Sequence, residues 1–543
     1  MIFLSTLLLA ILITIAMTRA LSVLAIHYNV AVDLPGARKV HTLPVPRIGG
    51  IAMTIGTFVP LLYWFRAEQF VITYLAGATV LVAFGLLDDI LDISPKFKFA
   101  GQIIAALIVI AGGGVQITSL GMLMPDGYQL PGFIAVPFTL LAIVGATNAI
   151  NLSDGLDGLA GGICLLIFAA IAYLSYLEGN QVVGLIALAL SGVLFGFLRF
   201  NTHPASIFMG DAGSQFLGFS AATLSIYLTQ KTPTLSQALP IILLGFPILD
   251  TLTVMVTRIA KGRSPFSADK NHFHHHLMGL GLHHAESVLV IYILHTLLII
   301  SALLFRYYSD WLFLIEYLVF SVVIIVFFDR ARRGHWKAKR FEFFDVRIAG
   351  RFRLLKREGV VINRAFPVFV YGIPLLLLVT CFLTDEAPTY LIIAALLAML
   401  VISMVWLFAK QWLIRTLRVT IYLFVPFAVY LSETGKNIWL DGVPRTMFNM
   451  LFGLFSVLIL VISKFSRRTG GFKSSPMDFL IIILAVAVPN LPNNHLQEYQ
   501  YGLVAAKTIM LYFSFEVLLA ELRGKFNYIA GTVMAALLVL ASR

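Results

Sequence analysis

The sequence predicts an all-α, polytopic membrane protein, and three observations carry that reading. Hydrophobic residues make up 59% of the 543 and charged residues only 12%. Mean hydropathy is +0.91, far from the range of soluble domains. Apolar runs of roughly 17 to 25 residues recur along the whole chain, long enough to cross a hydrocarbon core as helices. Helices satisfy their own backbone in lipid, which open strands do not.

About eleven spans are expected first, centred on residues 1–20, 48–65, 70–87, 99–113, 131–150, 159–177, 181–198, 213–229, 237–257, 286–305 and 311–328. About seven more follow at 366–383, 388–408, 417–432, 446–463, 477–490, 502–520 and 526–541. The first run lacks a basic leader and is followed by Arg19 instead of a small-residue cleavage site, so it reads as a retained anchor. The 39 Lys and Arg against 27 acids give a net charge of +12. Most of these cations fall on one side once the loop after the first span is placed in the cytoplasm, as the positive-inside rule requires. The charge is therefore a topology signal and not a nucleic-acid footprint. Cys164 and Cys381 both lie in spans, which leaves no disulfide framework and no zinc knuckle.

Four polar motifs interrupt this apolar background. The third span ends in Gly85-Leu86-Leu87-Asp88-Asp89-Ile90-Leu91-Asp92. Adjacent carboxylates repel unless a proton or cation joins them, and a helix would put Asp88 and Asp92 on one face with Asp89 turned away. A hard cation such as magnesium suits such oxygens; a solvated helix end with capping aspartates fits the same string. The fifth span runs into Asn148, Asn151, Asp154 and Asp157. The first three are spaced by three and line one helical stripe, apt for a nucleobase edge, a ribose or metal-bound water, or for hydrogen bonds between helices. After the seventh span come Asn201 and Phe208-Met209-Gly210-Asp211, with Asp211 near the start of a helix, where an anion, a metal–phosphate complex or a simple cap is favoured. After the ninth come Arg263 and Asn271-His272-Phe273-His274-His275-His276, with His283 and His284 beyond. Four histidines in five positions do not suit one tetrahedral metal, so phosphate or sugar contacts by His272, His274 and His275 are preferred to a metal-binding loop.

Each motif follows an odd-numbered span, so all four share the cytoplasmic face. With Arg38, Lys39, Arg47, Lys96, Lys98 and Arg263 there too, the sum is hard-metal carboxylates ringed by cations, a setting for phosphoryl chemistry on an anionic donor.

At these residues the chain closely resembles the polyprenyl-phosphate N-acetylhexosamine-1-phosphate transferases, the superfamily that also contains the phospho-N-acetylmuramoyl-pentapeptide transferase. The resemblance covers about residues 1 to 329. It rests on Asp33 through His41, Pro46-Arg47-Ile48-Gly49-Gly50, the aspartate pair, the NxxNxxD stripe, the FMGD loop and the His-x-His-His loop. It implies transfer of a sugar 1-phosphate from a UDP-sugar to undecaprenyl or another polyprenyl phosphate, with release of UMP, in a cleft open to the cytosol and to lipid. The implied cofactor is Mg2+ and the implied place is the bacterial inner membrane. Carried over by position, Asp211 is the metal ligand, Asp88 and Asp89 the catalytic acidic pair, and His272, His274 and His275 the phosphate-proximal histidines. Asn148, Asn151, Asp154 and Asp157 are substrate contacts, joined by Lys98, Arg263, Arg47 and Asn201. The muramoyl-pentapeptide branch resembles a DDxxK pattern, whereas Asp92 stands at that lysine here. UDP-N-acetylglucosamine is thus the first expectation, with bacillosamine-, fucosamine- and galactosamine-type donors open and the muramoyl-pentapeptide donor as the alternative.

A different class, an ion- or proton-coupled transporter, would also use an acidic pair, the intramembrane Asp250 and a histidine loop. Its charges would run through the depth of the bundle and occupy both faces, whereas these gather on one.

The resemblance stops where a basic segment, 330–365, carries Trp336, Phe341, Phe343, Phe344 and Phe352 among its cations, with only Glu342, Asp345 and Glu358 as acids. It reads as an interfacial linker on anionic lipid, or a disordered inside-positive loop. Residues 366–543 offer no catalytic constellation. Glu433, Lys436, Asp441 and Arg445 suit a solvated outer loop, Lys507 and Glu516 mark a candidate polar path, and the whole could dock a glycan-assembly partner or form a homodimer.

Overall fold

The computed structural model describes residues 2–33, 44–65, 68–125, 127–264, 272–334, 360–384, 386–434, 443–465, 501–521 and 526–543. The chain divides into two compact units, Met1–Ala338 with Ser475–Met477, and Lys339–Ser474 with Asp478–Arg543. Ten described helices are long and apolar enough to cross a membrane, and four shorter apolar helices accompany them. This is a multi-pass helical membrane protein.

In the first unit the helices are α1 Ile2–Tyr28, α2 Gly49–Trp64, α3 Gln69–Leu91, α4 Pro95–Gly113, α5 Gly132–Ser153, α6 Leu159–Leu177 and α7 Gln181–Asn201. They continue with α8 Gly210–Lys231, α9 Leu239–Leu243, α10 Gly245–Ala260, α11 Phe273–Gly279, α12 His284–Leu304 and α13 Asp310–Arg333. Helix α8 lies at the centre. It is buried along almost its whole length, although its sequence is the least apolar of the long helices here. Its small and hydroxylated residues let neighbours approach closely, and the hydroxyls of Ser214, Ser220, Ser225 and Thr229 bond back to its own carbonyls, the way polar side chains are satisfied in an apolar bundle.

Two expectations are corrected in this unit. The ninth span is not one helix: α9 ends before Leu244 and α10 starts at Gly245. Pro247 has no N–H to continue the ladder into α9, and the chain restarts there. Asp88 and Asp92 do not share a helical face, because Asp92 closes α3 in the left-handed region, φ 50°, with its N–H on the Asp88 carbonyl.

A short antiparallel hairpin, β1 Val32–Asp33 with β2 Val45–Pro46, packs beside the start of α8. The Pro46 carbonyl accepts from Phe208 N–H, and the Gly49 and Gly50 N–H groups donate to the Phe208 and Met209 carbonyls. Two motifs far apart in sequence are thereby sewn together as backbone. At the opposite end of the bundle a second polar network forms. Gln230 takes the N–H groups of Thr118 and Ser119, while Asp310 holds Ser236, Ala238 and Met122.

In the second unit the described helices are α14 Val360–Phe382, α15 Thr389–Phe408, α16 Leu413–Thr434, α17 Val443–Phe465, α18 Tyr501–Glu521 and α19 Phe526–Ala541. Glu433 is not in a solvated loop. It is buried and paired with the equally buried Lys507, with Arg445 3.6 Å from its other oxygen and the rings of Phe448 and Phe452 against the ammonium. Both cysteines are buried and free. Arg38, Lys39, His41, Asn271, Lys436, Asp441, most of the basic linker and the expected span at 477–490 lie outside the described residues.

Candidate active site

One end of α8 gathers the four motifs. Gly210 opens the helix at φ +70°, a conformation that costs an L side chain but not glycine, and a Cβ there would meet the Asp89 carboxylate at 2.4 Å. Asp89 therefore sits directly over the helix start. Its Oδ1 accepts from Asp211 N–H at 2.9 Å and its Oδ2 from Ala212 N–H at 3.1 Å. This is a capping carboxylate delivered by another helix, satisfying two orphan donors and opposing the helix dipole.

The other members of the cluster are side chains. Lys98 Nζ lies 2.5 Å from Asp88 Oδ2 and 2.8 Å from Asp211 Oδ2, so one ammonium joins both carboxylates. Asn151 Nδ2 reaches Asp211 Oδ1 at 3.2 Å and Ser214 Oγ at 2.7 Å. Behind them Gln102 donates to Gln215 at 3.1 Å and accepts from Asn148 at 2.7 Å. Asp88 Oδ1 is buried and accepts no hydrogen bond. Asp88 and Asp89, adjacent in sequence, thus divide their tasks: the first faces a cation, the second holds the helix on which Asp211 rides.

These donors suit a hard divalent cation. Two carboxylates within reach of one ammonium, an unpartnered carboxylate oxygen and a neighbouring amide are the oxygen-rich set that magnesium takes with one or two carboxylates and water.

The second motif meets the fourth at the loop after α5. Asp154 follows the last residue of α5, and burial among protein atoms, then the carboxylates of Asp211, Asp157 and Asp89, push it up to about 7, with Arg47 opposing. A Cβ at Gly155 would overlap the His274 ring at 2.5 Å, so the imidazole lies on the glycine. Burial, reinforced by His275, pushes His274 down to about 4. It is a neutral ring near pH 7 and not a fixed cation. His274 stacks at 5.7 Å on His272 and stands 4.2 Å from the exposed His275.

Asp157 accepts from Ala205 N–H at 3.1 Å and lies 2.8 Å from His203 Nδ1. Its own N–H donates to His284 Nε2 at 3.1 Å, and the His203 and His284 rings stack at 4.2 Å. Asp157, His203 and His284 offer ligand atoms within 4.8 Å of one another. The His284 Nε2 lone pair is already taken by a backbone N–H, however, and a metal needs that pair. The trio reads as a hydrogen-bonded brace around the 154–158 loop.

The remaining expected residues fall out as follows. Asn201 is buried with its amide used at both ends, accepting from Gly158 N–H at 3.0 Å and donating to the Ile207 carbonyl at 2.9 Å; it braces two loops. Arg47 forms an ion pair with Asp33 at 2.8 Å. Arg263 is exposed just beyond the end of α10. Gln102, Gln215, Ser214, His203 and His284 are participants that the sequence reading did not assign. Polar amides inside apolar spans were the available signal for the first two.

A model of Glycosyl transferase family 4 matches residues 71–229, the stretch from α3 to the end of α8. A probable undecaprenyl-phosphate N-acetylglucosaminyl 1-phosphate transferase of Bacillus subtilis is 41% identical over 300 residues, 54% of this chain and 82% of the relative. The undecaprenyl-phosphate alpha-N-acetylglucosaminyl 1-phosphate transferase of Escherichia coli K12 is 31% identical over 321 residues, 57% of this chain and 86% of the relative. The Yersinia pestis protein of that description is 30% identical over 322 residues, with the same shares.

Proposed function

The chain belongs to the polyprenyl-phosphate N-acetylhexosamine-1-phosphate transferases, and on that premise we propose that it transfers N-acetylglucosamine 1-phosphate from UDP-N-acetylglucosamine to undecaprenyl phosphate. An oxygen of the acceptor phosphate attacks the phosphorus that carries the sugar. The bond from that phosphorus to the bridging oxygen breaks, UMP leaves, and a polyprenyl-diphosphate sugar remains.

The observation that carries this reading is the meeting of Asp88, Lys98, Asn151 and Asp211 on the first turn of α8. The reaction must bring two anions together, and this is the place where a fixed cation, Lys98, and metal-binding oxygens coincide. Asp211, with Asn151 beside it, is the proposed holder of Mg2+, which when bound supplies charge neutralisation for the donor diphosphate. Lys98 is positioned to neutralise phosphate oxygens as it now neutralises two carboxylates. Asp88 Oδ1 is the atom available to take the last proton of the acceptor phosphate, whose second pKa is near 6. His274, lying on Gly155, and the exposed His275 beside it supply hydrogen bonds to the donor.

The same reading places the protein in the bacterial inner membrane with this end facing the cytoplasm, supported by the Lys and Arg distribution. The test is a donor screen: purified protein, undecaprenyl phosphate, magnesium and a panel of UDP-sugars, with UMP release and lipid product both measured. UDP-N-acetylglucosamine should give stoichiometric UMP and lipid-linked sugar. Preference for the muramoyl-pentapeptide donor would move the chain to the other branch, and ion flux without product would replace the enzyme with a transporter.

A further inference from the structure

Asp250 is an ionisable residue inside the bundle, 4% exposed on α10. Neither of its oxygens is idle. Oδ2 lies 2.9 Å from His272 Nδ1, and Oδ1 accepts the Phe273 N–H at 2.8 Å. One carboxylate thus grips both the ring of His272, itself 6% exposed, and the first peptide of α11. A carboxylate accepts and does not donate, so its partner nitrogen carries the proton. Nδ1 is therefore the N–H of His272, and Nε2 is the nitrogen left for any other partner.

The ring so fixed is linked to the cluster. It stacks on His274 with 11° between planes, and His274 covers Gly155 beside Asp154. The start of α11 is locked from its other side by Phe273, whose ring packs against Phe246 at 5.7 Å and Phe328 at 4.9 Å. We propose that Asp250 is a positioning residue for the sugar-phosphate transfer, holding His272 with Nδ1 protonated so that the Nε2 lone pair is presented as an acceptor to a hydroxyl or N–H of the UDP-sugar. The proposal rests on the transferase reading for the identity of the ligand. The tautomer and the grip on α11 stand apart from it. Orienting partners behind a functional histidine typically matter tenfold to a hundredfold.

Asp250→Asn keeps an oxygen for the Phe273 amide but offers the ring a side chain that can donate, which permits the other tautomer. It should lower kcat for UMP release about tenfold to a hundredfold, with KM for UDP-N-acetylglucosamine within about twofold. His272→Gln should cost a similar factor, and the double variant no more than either alone, since both act through one ring. Multiplying losses, or an unchanged kcat in Asp250→Asn, would overturn the proposal. The second readout needs no turnover: solid-state 15N spectra of ring-labelled protein at mildly alkaline pH, with the His272 signals identified by their loss in His272→Gln. An Nδ1–H ring in the wild type supports the grip, and an Nε2–H ring overturns it. Wild-type protein that shows the Nδ1–H ring but transfers no sugar would sink the transferase reading and leave the pairing intact.

Discussion

Asp88 and Asp89 show how far a residue pattern reaches. Helical geometry correctly turns them to different sides, but it does not say what each side meets. Only the tertiary contact makes Asp89 a cap for α8 and leaves Asp88 in the cation cluster. The difference has a measurable consequence. Asp211→Asn keeps the size of the side chain and the Asn151 contact but removes the charge that balances Lys98, so turnover should fall by about three orders of magnitude with little change in unfolding temperature. Asp89→Ala should instead lower the unfolding temperature as well, because two N–H groups lose a charged acceptor, a loss of about 2 kcal/mol. Activity and thermal unfolding of both variants in detergent separate the roles. Near-normal turnover of Asp211→Asn with unchanged magnesium dependence would remove the metal assignment.

Elements were more legible than their joints. Among the described residues the long apolar runs became helices because length and hydropathy are local properties, whereas the break between α9 and α10 depended on Gly245 and Pro247 inside an otherwise apolar run. Charges near span ends were the least legible. Glu433, Arg445 and Lys507 resemble scattered loop and span residues in sequence. In the structure Glu433 and Lys507 form a buried pair joining the end of α16 to α18, with Arg445 at the start of α17 beside them. Removing one partner strands the other charge in an apolar setting, which costs about 3 to 5 kcal/mol, while replacing both can be neutral. Lys507→Met should therefore lower expression and unfolding temperature sharply, and Lys507→Met combined with Glu433→Gln should recover most of the loss. Equal instability of the single and double variants would show that the pair is not what holds these helices together.

At the scale of the whole molecule the chain divides its labour unevenly. All the side chains brought together at the start of α8 come from residues before α13, and the matched share of the transferase relatives covers little more than half of this chain. That asymmetry was legible because the polar motifs stop at His284 and the family resemblance near Asp329, while the apolar runs continue. What the later helices do was not, since an apolar bundle carries no chemical signature beyond its own packing. The first unit has its own core, with α8 buried among α2, α3, α5 and α6, and its site draws no described side chain from beyond residue 334. A chain ending at Gly334 should consequently retain sugar-phosphate transfer in detergent, within about tenfold of the full-length rate if no catalytic group has been removed. The comparison should be made at equal monodisperse protein, with UMP release and donor binding measured together. A truncated protein that elutes as one species and binds donor but transfers no sugar would mean that the second unit completes the active site, and that the division of the chain lies elsewhere.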